Sequence, residues 1–333
     1  MIERPKVKPL SSDSLVLHLN GIPSRLDDGD NEDGFLQEPM GSWRPLNDDG
    51  LYDVEEECVG LHSDIAGRIF GDLSSYHAQL PMAPIFLSEA GLNSESSIGR
   101  DAFEKLLVQY VDFPELNRFL YLYDVRSLVS AVQESTKEVS QLTGEFYRIL
   151  NLEPFFIPDI AQENGIRWST SANVTKLTST LGFLFIRLHS LLDYLAKLAR
   201  EIEGLQSEFK SYPRLASSGF LFGHRKRLRM GAPVGSLFEP CDEVVEVELL
   251  RNLLIHDGLL DDMPKAYEVM ADGVTVERFV LLPDRRDGKF ERFKNRHRFY
   301  GREDKINLRL AALVKAFQLR EAETLKGIRM MLA

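Results

Sequence analysis

The chain has 333 residues, of which 44% are hydrophobic and 27% are charged, as in an ordinary folded protein of one or two domains. Its two cysteines, Cys58 and Cys241, provide neither a disulfide framework nor a metal-ligand spacing. No signal-peptide pattern and no apolar run of membrane length occurs. We therefore expect a soluble cytoplasmic protein with no metal, no cofactor and no membrane partner.

The formal net charge of −11 is concentrated near the N-terminus. Residues 1–60 hold 5 Lys and Arg against 14 Asp and Glu, whereas the rest of the chain holds 35 against 37. A chain that is acidic overall binds nucleic acid poorly, so any contact with RNA must come from a local basic patch.

Residues 1–100 are predicted to form an acidic, loop-rich region of unknown role, with a short helix near residues 62–75. The run DDGDNEDG at residues 27–34 has the carboxylates of a calcium loop. Counted from Asp28, however, its sixth position is Asp33 rather than Gly, and its twelfth is Pro39 rather than Glu. A solvated acidic loop is the simpler interpretation. The functional alternative is a segment that covers a basic RNA surface or meets a partner.

From residue 101 onward the pattern becomes helical, with predicted helices at residues 101–112 and 114–150. The strongest periodic signal follows at residues 174–205, where leucines and other apolar residues alternate spacings of three and four over more than four heptads. This seam consists of Val174, Leu177, Leu181, Leu184, Leu188, Leu191, Leu195, Leu198, Ile202 and Leu205. It predicts a long helix that packs lengthwise in a helical core.

Residues 207–241 interrupt this pattern with several prolines and glycines and contain a short basic run. The run has two interpretations, a solvated loop or a loop that contacts phosphates of RNA. Its candidate RNA-binding residues are Arg225, Lys226, Arg227 and Arg229.

The next predicted helix, at about residues 242–257, has an apolar stripe. Val247, Leu250 and Leu254 recur at helical spacing, with Leu253 widening the stripe. Asp242 is the predicted N-cap of this helix, and Gly258 is its predicted C-terminal cap.

The opposite face of this helix is polar. Glu248, Asn252 and His256 follow one another at intervals of four residues, so they line up along one side. Arg251 lies three residues after Glu248, close enough to pair with it. One interpretation is an ion pair on the helix surface together with a capping histidine. The other is a catalytic group that combines Arg251, Asn252 and His256, supported by Glu248.

Residues 251–256, RNLLIH, match the R-N-x-x-x-H form of the R-x(4–6)-H signature. Through this motif, the chain from about residue 115 onward resembles the HEPN superfamily. Its domains are all-helical, and many are metal-independent ribonucleases that pair two signatures across a dimer. The resemblance implies a mainly α fold. Together with the helical pattern of the chain, it leads us to expect an HEPN-like up-and-down helical bundle at residues 101–333. The residues themselves predict a small β-hairpin insertion in this bundle and an irregular acidic region before it.

The hairpin is predicted at residues 266–270 and 274–282, on either side of the Asp272-Gly273 turn signal. Residues 285–302 follow, with eight Lys and Arg interleaved with aromatic residues. Such a mixture can hold RNA by phosphate contact and base stacking, although a solvated linker with apolar anchors has the same composition. The candidate RNA-binding residues here are Arg292, Lys294, Arg296 and Arg298. A last helix is predicted from about residue 306 to residue 331.

If the resemblance holds, the protein is a metal-independent endoribonuclease. A 2′-hydroxyl attacks the neighbouring phosphate, His256 acts as acid or base, Arg251 stabilises the developing charge, and Asn252 orients the ring or the phosphate. The helix supplies one histidine only, so chemistry with two histidines implies a homodimer. A toxin or antiphage role, with a regulatory or antitoxin partner, is a further expectation. The alternative is a non-catalytic HEPN-like module that dimerises or binds nucleotide or RNA.

Overall fold

The structure, a computed structural model, describes residues 14–26, 33–47, 50–206, 208–258 and 260–332. The fold is mixed α/β, with about 52% of residues in helices and 12% in strands that form several antiparallel sheets. The mainly α fold expected above is therefore wrong, and so is the irregular N-terminal region, because residues within 14–47 form a sheet. Residues 27–32, most of the calcium-like run, lie outside the described residues.

In chain order, the helices of the described chain are α1 (Leu51–Phe70), α2 (Leu73–Gln79), α3 (Phe86–Glu89), α4 (Arg100–Gln109), α5 (Leu116–Leu152), α6 (Ala172–Glu203), α7 (Asp242–His256) and α8 (Leu310–Met330). The longest helices of the described chain, α5 and α6, contribute many of the buried apolar residues. Short 3₁₀ turns lie at Leu80–Met82, Phe222–Arg227 and Ile306–Leu308.

The strands are short. They are β1 (Leu15–Leu17), β2 (Ser24–Arg25), β3 (Phe35–Gln37), β4 (Trp43–Pro45), β5 (Gly165–Ser169), β6 (Ala266–Ala271), β7 (Val274–Phe279), β8 (Leu281–Leu282), β9 (Arg285–Arg286), β10 (Lys289–Phe290) and β11 (Asp304–Lys305). All the pairings are antiparallel: a four-stranded sheet in the order β2-β1-β3-β4, a three-stranded sheet in the order β5-β6-β7, and the pairs β9–β10 and β8–β11.

The chain divides into two compact units, each assembled from three segments. Unit 1 comprises Met1–Tyr52, Thr136–Ser190 and Pro240–Leu319, and unit 2 comprises Asp53–Ser135, Leu191–Glu239 and Arg320–Ala333. Helices α5, α6 and α8 each contribute residues to both units. The domain boundary suggested near residue 100 stays a prediction.

Helix α6 confirms the apolar seam. Its residues from Val174 to Ile202 along the predicted spacing are buried, at 4% exposure or less. The helix ends at Glu203, so Leu205 lies beyond it. The chain turns at Gly204, whose backbone N–H donates to the carbonyl of Glu201, three residues back, rather than to that of Arg200, four residues back as in an α-helix.

Two buried asparagines tie the N-terminal sheet of unit 1 to its helices. Asn151, in the last turn of α5, receives the N–H of His18 on its side-chain oxygen and donates its amide to the His18 carbonyl, both at 3.0 Å. Asn307 is fully buried and donates to the carbonyl of Leu19 at 2.7 Å, while its own carbonyl accepts the Tyr147 hydroxyl at 2.6 Å. Each asparagine thus supplies the hydrogen bonds that a neighbouring strand would make.

The three-stranded sheet contains the predicted hairpin. Asp272 and Gly273 both have positive φ values, 51° and 76°, which suits the tight turn between β6 and β7. Strand β5 was not predicted, and it pairs along β6 from Ser169 opposite Ala266 to Gly165 opposite Met270.

One face of this sheet carries a row of charges, with Arg167 on β5, Glu268 on β6 and Arg278 on β7 as direct cross-strand partners. Glu268 is 1% exposed and forms ion pairs with Arg167 at 2.7 Å and with Arg278 at 3.0 Å. Burial lowers the pKa of Arg278, while the negative charge of Glu268 acts in the opposite direction. A buried carboxylate between two guanidiniums satisfies charges that would be costly alone.

Arg278 also closes the C-terminal end of α5. Its guanidinium donates to the backbone carbonyls of Leu150, Asn151 and Glu153 at 3.1–3.2 Å. These carbonyls have no partner within the helix, and a cation at this end also complements the helix dipole. Gly21 packs on Arg278 so closely that a Cβ there would lie 2.6 Å from the Arg278 Cβ.

Unit 2 is held partly by a buried carboxylate of its own. Glu201 accepts the Tyr121 hydroxyl at 2.6 Å and the Ser217 backbone N–H at 2.9 Å. Burial, together with the bond to Glu201, raises the pKa of Tyr121.

Elsewhere in the unit, burial lowers the pKa of His62 to about 4, with the positive charge of Arg126 adding to the effect. The imidazole of His62 is therefore neutral near pH 7.

The two cysteines form no disulfide bond with each other in the described structure, and both are buried. Cys58 lies on α1 in unit 2, and Cys241 precedes α7 in unit 1. Among the described residues, no helix is long and apolar enough to cross a membrane.

Replacing Glu268 by Gln should lower the free energy of unfolding by about 3 kcal/mol, because Arg167 and Arg278 would then lack a buried counter-charge. Urea denaturation measures the change. Glu277→Gln is the matched control: Glu277 is also on the sheet but pairs with Lys305 at a partly exposed position, where the loss should be about 0.5 kcal/mol. Equal losses in the two variants would contradict a special role for Glu268.

Candidate functional site

Helix α7 is fixed by the apolar face that it buries. Val247, Leu250 and Leu253 are at most 2% exposed, as predicted for the stripe, and Leu254 is half-buried. Leu254 packs against Gly182 of α6, where a Cβ would lie 3.4 Å from the Leu254 Cδ2. The lack of a side chain at Gly182 lets the two helices approach closely at this point.

The ends of α7 differ in part from the prediction. The N-cap is Cys241, which is extended (φ −148°, ψ 155°), so Asp242 is the first helical residue rather than the cap. In the first turn, the Asp242 carboxylate still lies where the helix dipole favours a negative charge. At the other end, Gly258 has a φ of +96°, which confirms the glycine cap.

The polar face of α7 is open to solvent at its C-terminal end. Asn252 and His256 are exposed, and Arg251 is half-buried. The Arg251 Nη1 donates to the Asn252 side-chain oxygen at 2.9 Å, which draws the guanidinium toward the line of Asn252 and His256. Within the described chain Glu248 makes no ion pair with Arg251, so the predicted pair is absent. No contact with Arg251 therefore supports the role predicted for Glu248.

The residue after the motif, Asp257, receives two groups from residues 285–302, here called the basic loop. Arg298 donates from its Nη2 to the backbone carbonyl of Asp257 at 2.9 Å. The His297 Nε2 lies 3.8 Å from the Asp257 carboxylate and is shielded from solvent. A second imidazole and a second guanidinium therefore lie beside the end of α7 in the same chain.

The basic loop is closed on itself by Asp284, which is 4% exposed. The Asp284 carboxylate accepts the backbone N–H groups of Gly301 at 2.7 Å and Arg302 at 3.1 Å. The Asp284 backbone N–H donates to the carbonyl of Phe299 at 2.6 Å. The two ends of the loop are thus held together at one buried carboxylate.

Ion pairs also anchor the start of the loop on α7. Arg285 pairs with Glu246 at 2.9 Å and with Asp304 at 3.0 Å, and Arg309 pairs with the same two carboxylates. At the β9–β10 turn, a Cβ on Gly288 would lie 2.9 Å from Val245 of α7. Loop and helix are therefore joined at both ends of α7, by Glu246 near one end and by Asp257 at the other.

The tip of the basic loop is a tight turn at residues 293–296. Phe293 and Arg296 exchange two backbone hydrogen bonds, at 2.8 and 3.0 Å. Phe293 is 63% exposed, and the Lys294 ammonium lies 5.6 Å from the centre of its ring. Arg292, Lys294 and Arg296 are exposed and pair with no carboxylate of the described chain. These three predicted RNA-binding cations lie together on one projecting turn, whereas Arg298 is used to hold the loop to Asp257.

The other predicted basic run belongs to unit 2, not to the unit that holds α7. Arg225 stacks on the Phe222 ring at 4.0 Å, and Arg229 donates to the backbone carbonyl of Glu203. Lys226 and Arg227 are exposed. Arg225 and Arg229 thus have structural contacts, and the proposed contact of the run with RNA stays a prediction.

No family model, curated protein or solved structure matches the chain. In the described ranges, no group of three or more His, Cys, Asp and Glu side chains is arranged to hold a metal ion.

Sequence reasoning missed His297 and Asp257 as members of this site. His297 lies within the basic and aromatic stretch, and Asp257 directly follows the motif, but forty residues separate the two. The signal in the sequence was the presence of a histidine among the arginines of residues 285–302. The fold of the loop, not its composition, decides where that histidine lies.

Arg298→Ala should release the basic loop from the end of α7, because it removes a hydrogen bond from a charged donor worth about 1.5 kcal/mol. Backbone amides of residues 293–299 should then exchange their hydrogens about tenfold faster, as measured by mass spectrometry. The matched control is Arg296→Ala in the same loop, which removes an exposed guanidinium without a partner. If the two variants exchange alike, Arg298 does not anchor the loop.

Proposed function

We propose that the protein is a metal-independent endoribonuclease that cleaves RNA at the C-terminal end of α7. The observation that carries the proposal is that His297 and Arg298 both contact Asp257, the residue directly after the Arg251–His256 motif, so the end of α7 gathers residues of the motif and of the basic loop. The R-N-x-x-x-H motif, on which the resemblance to HEPN ribonucleases rests, supports the same chemistry. Membership of that superfamily is part of the proposal.

In this reaction the 2′-oxygen of a ribose forms a bond to the adjacent phosphorus, and the bond from phosphorus to the 5′-oxygen breaks. The products are a 2′,3′-cyclic phosphate and a free 5′-hydroxyl. One proton leaves the 2′-hydroxyl and one is delivered to the 5′-oxygen, so the step needs a base and an acid. Two imidazoles near one phosphate meet this requirement.

We assign His297 as the base and His256 as the acid. The His297 Nε2 faces the Asp257 carboxylate, so its Nδ1 is left to accept the proton, and the carboxylate stabilises the imidazolium that forms. His256 is the last residue of α7 and is exposed, so its ring is accessible to a strand bound at this end of the helix.

Arg251 supplies permanent positive charge for the phosphorane, in which negative charge builds up on the non-bridging oxygens. Asn252 holds the Arg251 guanidinium at 2.9 Å and is a positioning residue in this mechanism. Arg298 keeps the loop, and with it His297, at the end of α7.

His297 provides the second imidazole from the same protomer, so this mechanism does not depend on two chains. The homodimer expected from the motif stays a separate prediction. A cytoplasmic location, suggested by two cysteines that provide no disulfide framework, and a toxin or antiphage role with a regulatory partner are also predictions.

A second candidate function is RNA binding without cleavage. It is favoured by the tip of the basic loop, where Phe293 and three unpaired cations are exposed without any acid–base group of their own. Both proposals have RNA as the ligand, but only the main proposal includes its cleavage. An assay of RNA cleavage therefore distinguishes them.

The wild-type protein should cleave labelled RNA in the presence of EDTA and leave 2′,3′-cyclic phosphate ends. His256→Ala and His297→Ala should each reduce the cleavage rate about 10²–10⁴-fold, because each removes a proton-transfer group. Arg251→Ala should reduce it about 10²–10³-fold, and Asn252→Ala less.

The control is His77→Ala, which removes an exposed histidine from α2 in unit 2 and should leave the rate unchanged. Circular dichroism checks that each variant is folded. Wild-type rates in a folded His256→Ala protein would reject the site, and a strict requirement for Mg²⁺ would reject the mechanism.

Charge reversal at the loop tip should weaken RNA binding without changing the cleavage chemistry. Arg292→Glu, Lys294→Glu and Arg296→Glu should each lower the slope of log affinity against log salt by about 0.7, the value for one phosphate contact on a single strand. Fluorescence anisotropy at several salt concentrations measures the slope. Lys105→Glu, an exposed position on α4 in unit 2, is the control. Unchanged slopes at all three tip positions would show that the loop is a solvated linker and not an RNA-binding element.

A further inference from the structure

The solvent-facing side of the three-stranded sheet carries a row of aromatic rings. Trp168 on β5 is directly opposite Tyr267 on β6, which is directly opposite Phe279 on β7. Direct cross-strand partners share one face of a sheet, so the three rings form a line across all three strands. We call Trp168, Tyr267 and Phe279 the aromatic row.

The row is open at one end and closed at the other. Trp168 is 51% exposed, Tyr267 is half-buried, and Phe279 is 5% exposed. The rings of Tyr267 and Phe279 are stacked, with centres 5.0 Å apart and planes 6° from parallel. A large flat surface is therefore offered to solvent at Trp168 and along the edge of Tyr267, supported from one side by Phe279.

A lysine lies over each end of the row. The Lys265 ammonium is 5.9 Å from the centre of the Trp168 ring, and the Lys305 ammonium is 4.2 Å from that of Phe279. Each lysine is also paired with a carboxylate, Asp261 at 2.9 Å and Glu277 at 2.7 Å. Because these charges are balanced, a ligand must be held here mainly by contact with the rings, not by attraction of a polyanion.

The row lies next to the end of α7. Residues 260–265 join the motif region to the start of β6, and the carbonyl of Leu260 accepts the Tyr300 hydroxyl of the basic loop at 3.1 Å. Burial raises the pKa of Tyr300, and Asp261 and Tyr267 are close enough to add to the rise. Tyr300 thus links the basic loop to the segment that leads into β6 and the aromatic row.

We propose that the aromatic row binds unstacked bases of single-stranded RNA and thereby positions the strand for cleavage. This rests on the proposed function for the identity of the ligand as RNA. Every base has a flat π-face, so stacking on aromatic side chains holds single strands of any sequence, while paired bases are inaccessible. The buried charges of Arg167, Glu268 and Arg278 on the opposite face hold the three strands in register beneath the rings.

The same face also carries an exposed aliphatic residue beside the row, Ile166 at 61% exposure. An apolar sheet face can also dock a second copy of the chain. The unpaired cations of the loop tip, which belongs to the same unit, favour RNA as the occupant. Ile166 distinguishes the two occupants, RNA and a second copy of the chain, because its side chain adds apolar area to the face but no aromatic ring.

The test uses a labelled 2′-O-methyl RNA oligomer of about ten nucleotides, which cannot be cleaved because it has no free 2′-hydroxyl. Trp168→Ala and Tyr267→Ala should each weaken binding about 5- to 150-fold, the equivalent of about 1–3 kcal/mol per stacked base. Trp168→Phe should keep most of the affinity, because phenylalanine also stacks. A ribose-phosphate oligomer without bases should bind the wild type and Trp168→Ala alike.

Ile166→Ala is the matched control on the same strand and face, and it should leave the affinity unchanged. Thermal melting checks that the variants are folded. Unchanged affinity in folded Trp168→Ala and Tyr267→Ala proteins would overturn the proposal, as would a wild type that does not bind the oligomer. Equal losses in Ile166→Ala and Trp168→Ala, accompanied by loss of a dimer in light scattering, would also overturn it, because a second copy would then occupy the face.

These outcomes are independent of cleavage. A protein that cleaves RNA through His256 but binds the oligomer equally with or without Trp168 retains its proposed function and loses this inference. A protein that does not cleave but binds the oligomer through Trp168 loses the proposed function, and the aromatic row is then a site that binds bases without positioning a strand for cleavage.

Discussion

Unit 1 depends on one buried carboxylate, Glu268, and the two guanidiniums that share it. Arg278 extends the interaction beyond the sheet, because the same side chain that pairs with Glu268 donates to the last carbonyls of α5. Arg167 extends it on the other side, stacking on Phe156 at 4.2 Å. One ionic row therefore fixes the strand register, the end of the longest helix and the segment that follows it. A carboxylate at this depth is tolerable only because both neighbours are permanently charged.

The same principle accounts for how the cations of the chain are distributed. Arg285 and Arg309 are held by Glu246 and Asp304, and Arg298 by the end of α7, so these arginines build the scaffold. By contrast, Arg292, Lys294 and Arg296, on one exposed turn of the basic loop, pair with no carboxylate in the part of the chain that the structure describes. Residues 61–333 are near neutral as a whole, yet they present a basic tip. The carboxylates neutralise the buried arginines and leave the exposed cations of the tip unpaired. Net charge alone does not reveal this separation.

Much of the helical structure could be predicted because it is encoded locally. The seam of α6, the stripe and glycine cap of α7, and the Asp272-Gly273 turn each depend on residues within a few positions of one another. The sheets could not be predicted in the same way. Strands β1–β4 have two or three residues each, too short for an alternating pattern, and they are stabilised by distant partners such as Asn151 and Asn307. For the same reason the motif helix was anticipated, whereas the meeting of His297 with Asp257 was not.

The placement of the two cysteines has a practical consequence. Each compact unit contains one buried thiol, Cys58 in unit 2 and Cys241 in unit 1, and the described structure contains no disulfide between them. Cys58 is fully buried and Cys241 is 9% exposed, so a thiol reagent reacts with them mainly when the surrounding structure opens, and the alkylation rate of each cysteine reports on its own unit. Peptide mapping resolves the two reactions in a single sample. The native chain thus carries a pair of internal probes for the kinetics of local unfolding, without any engineered label.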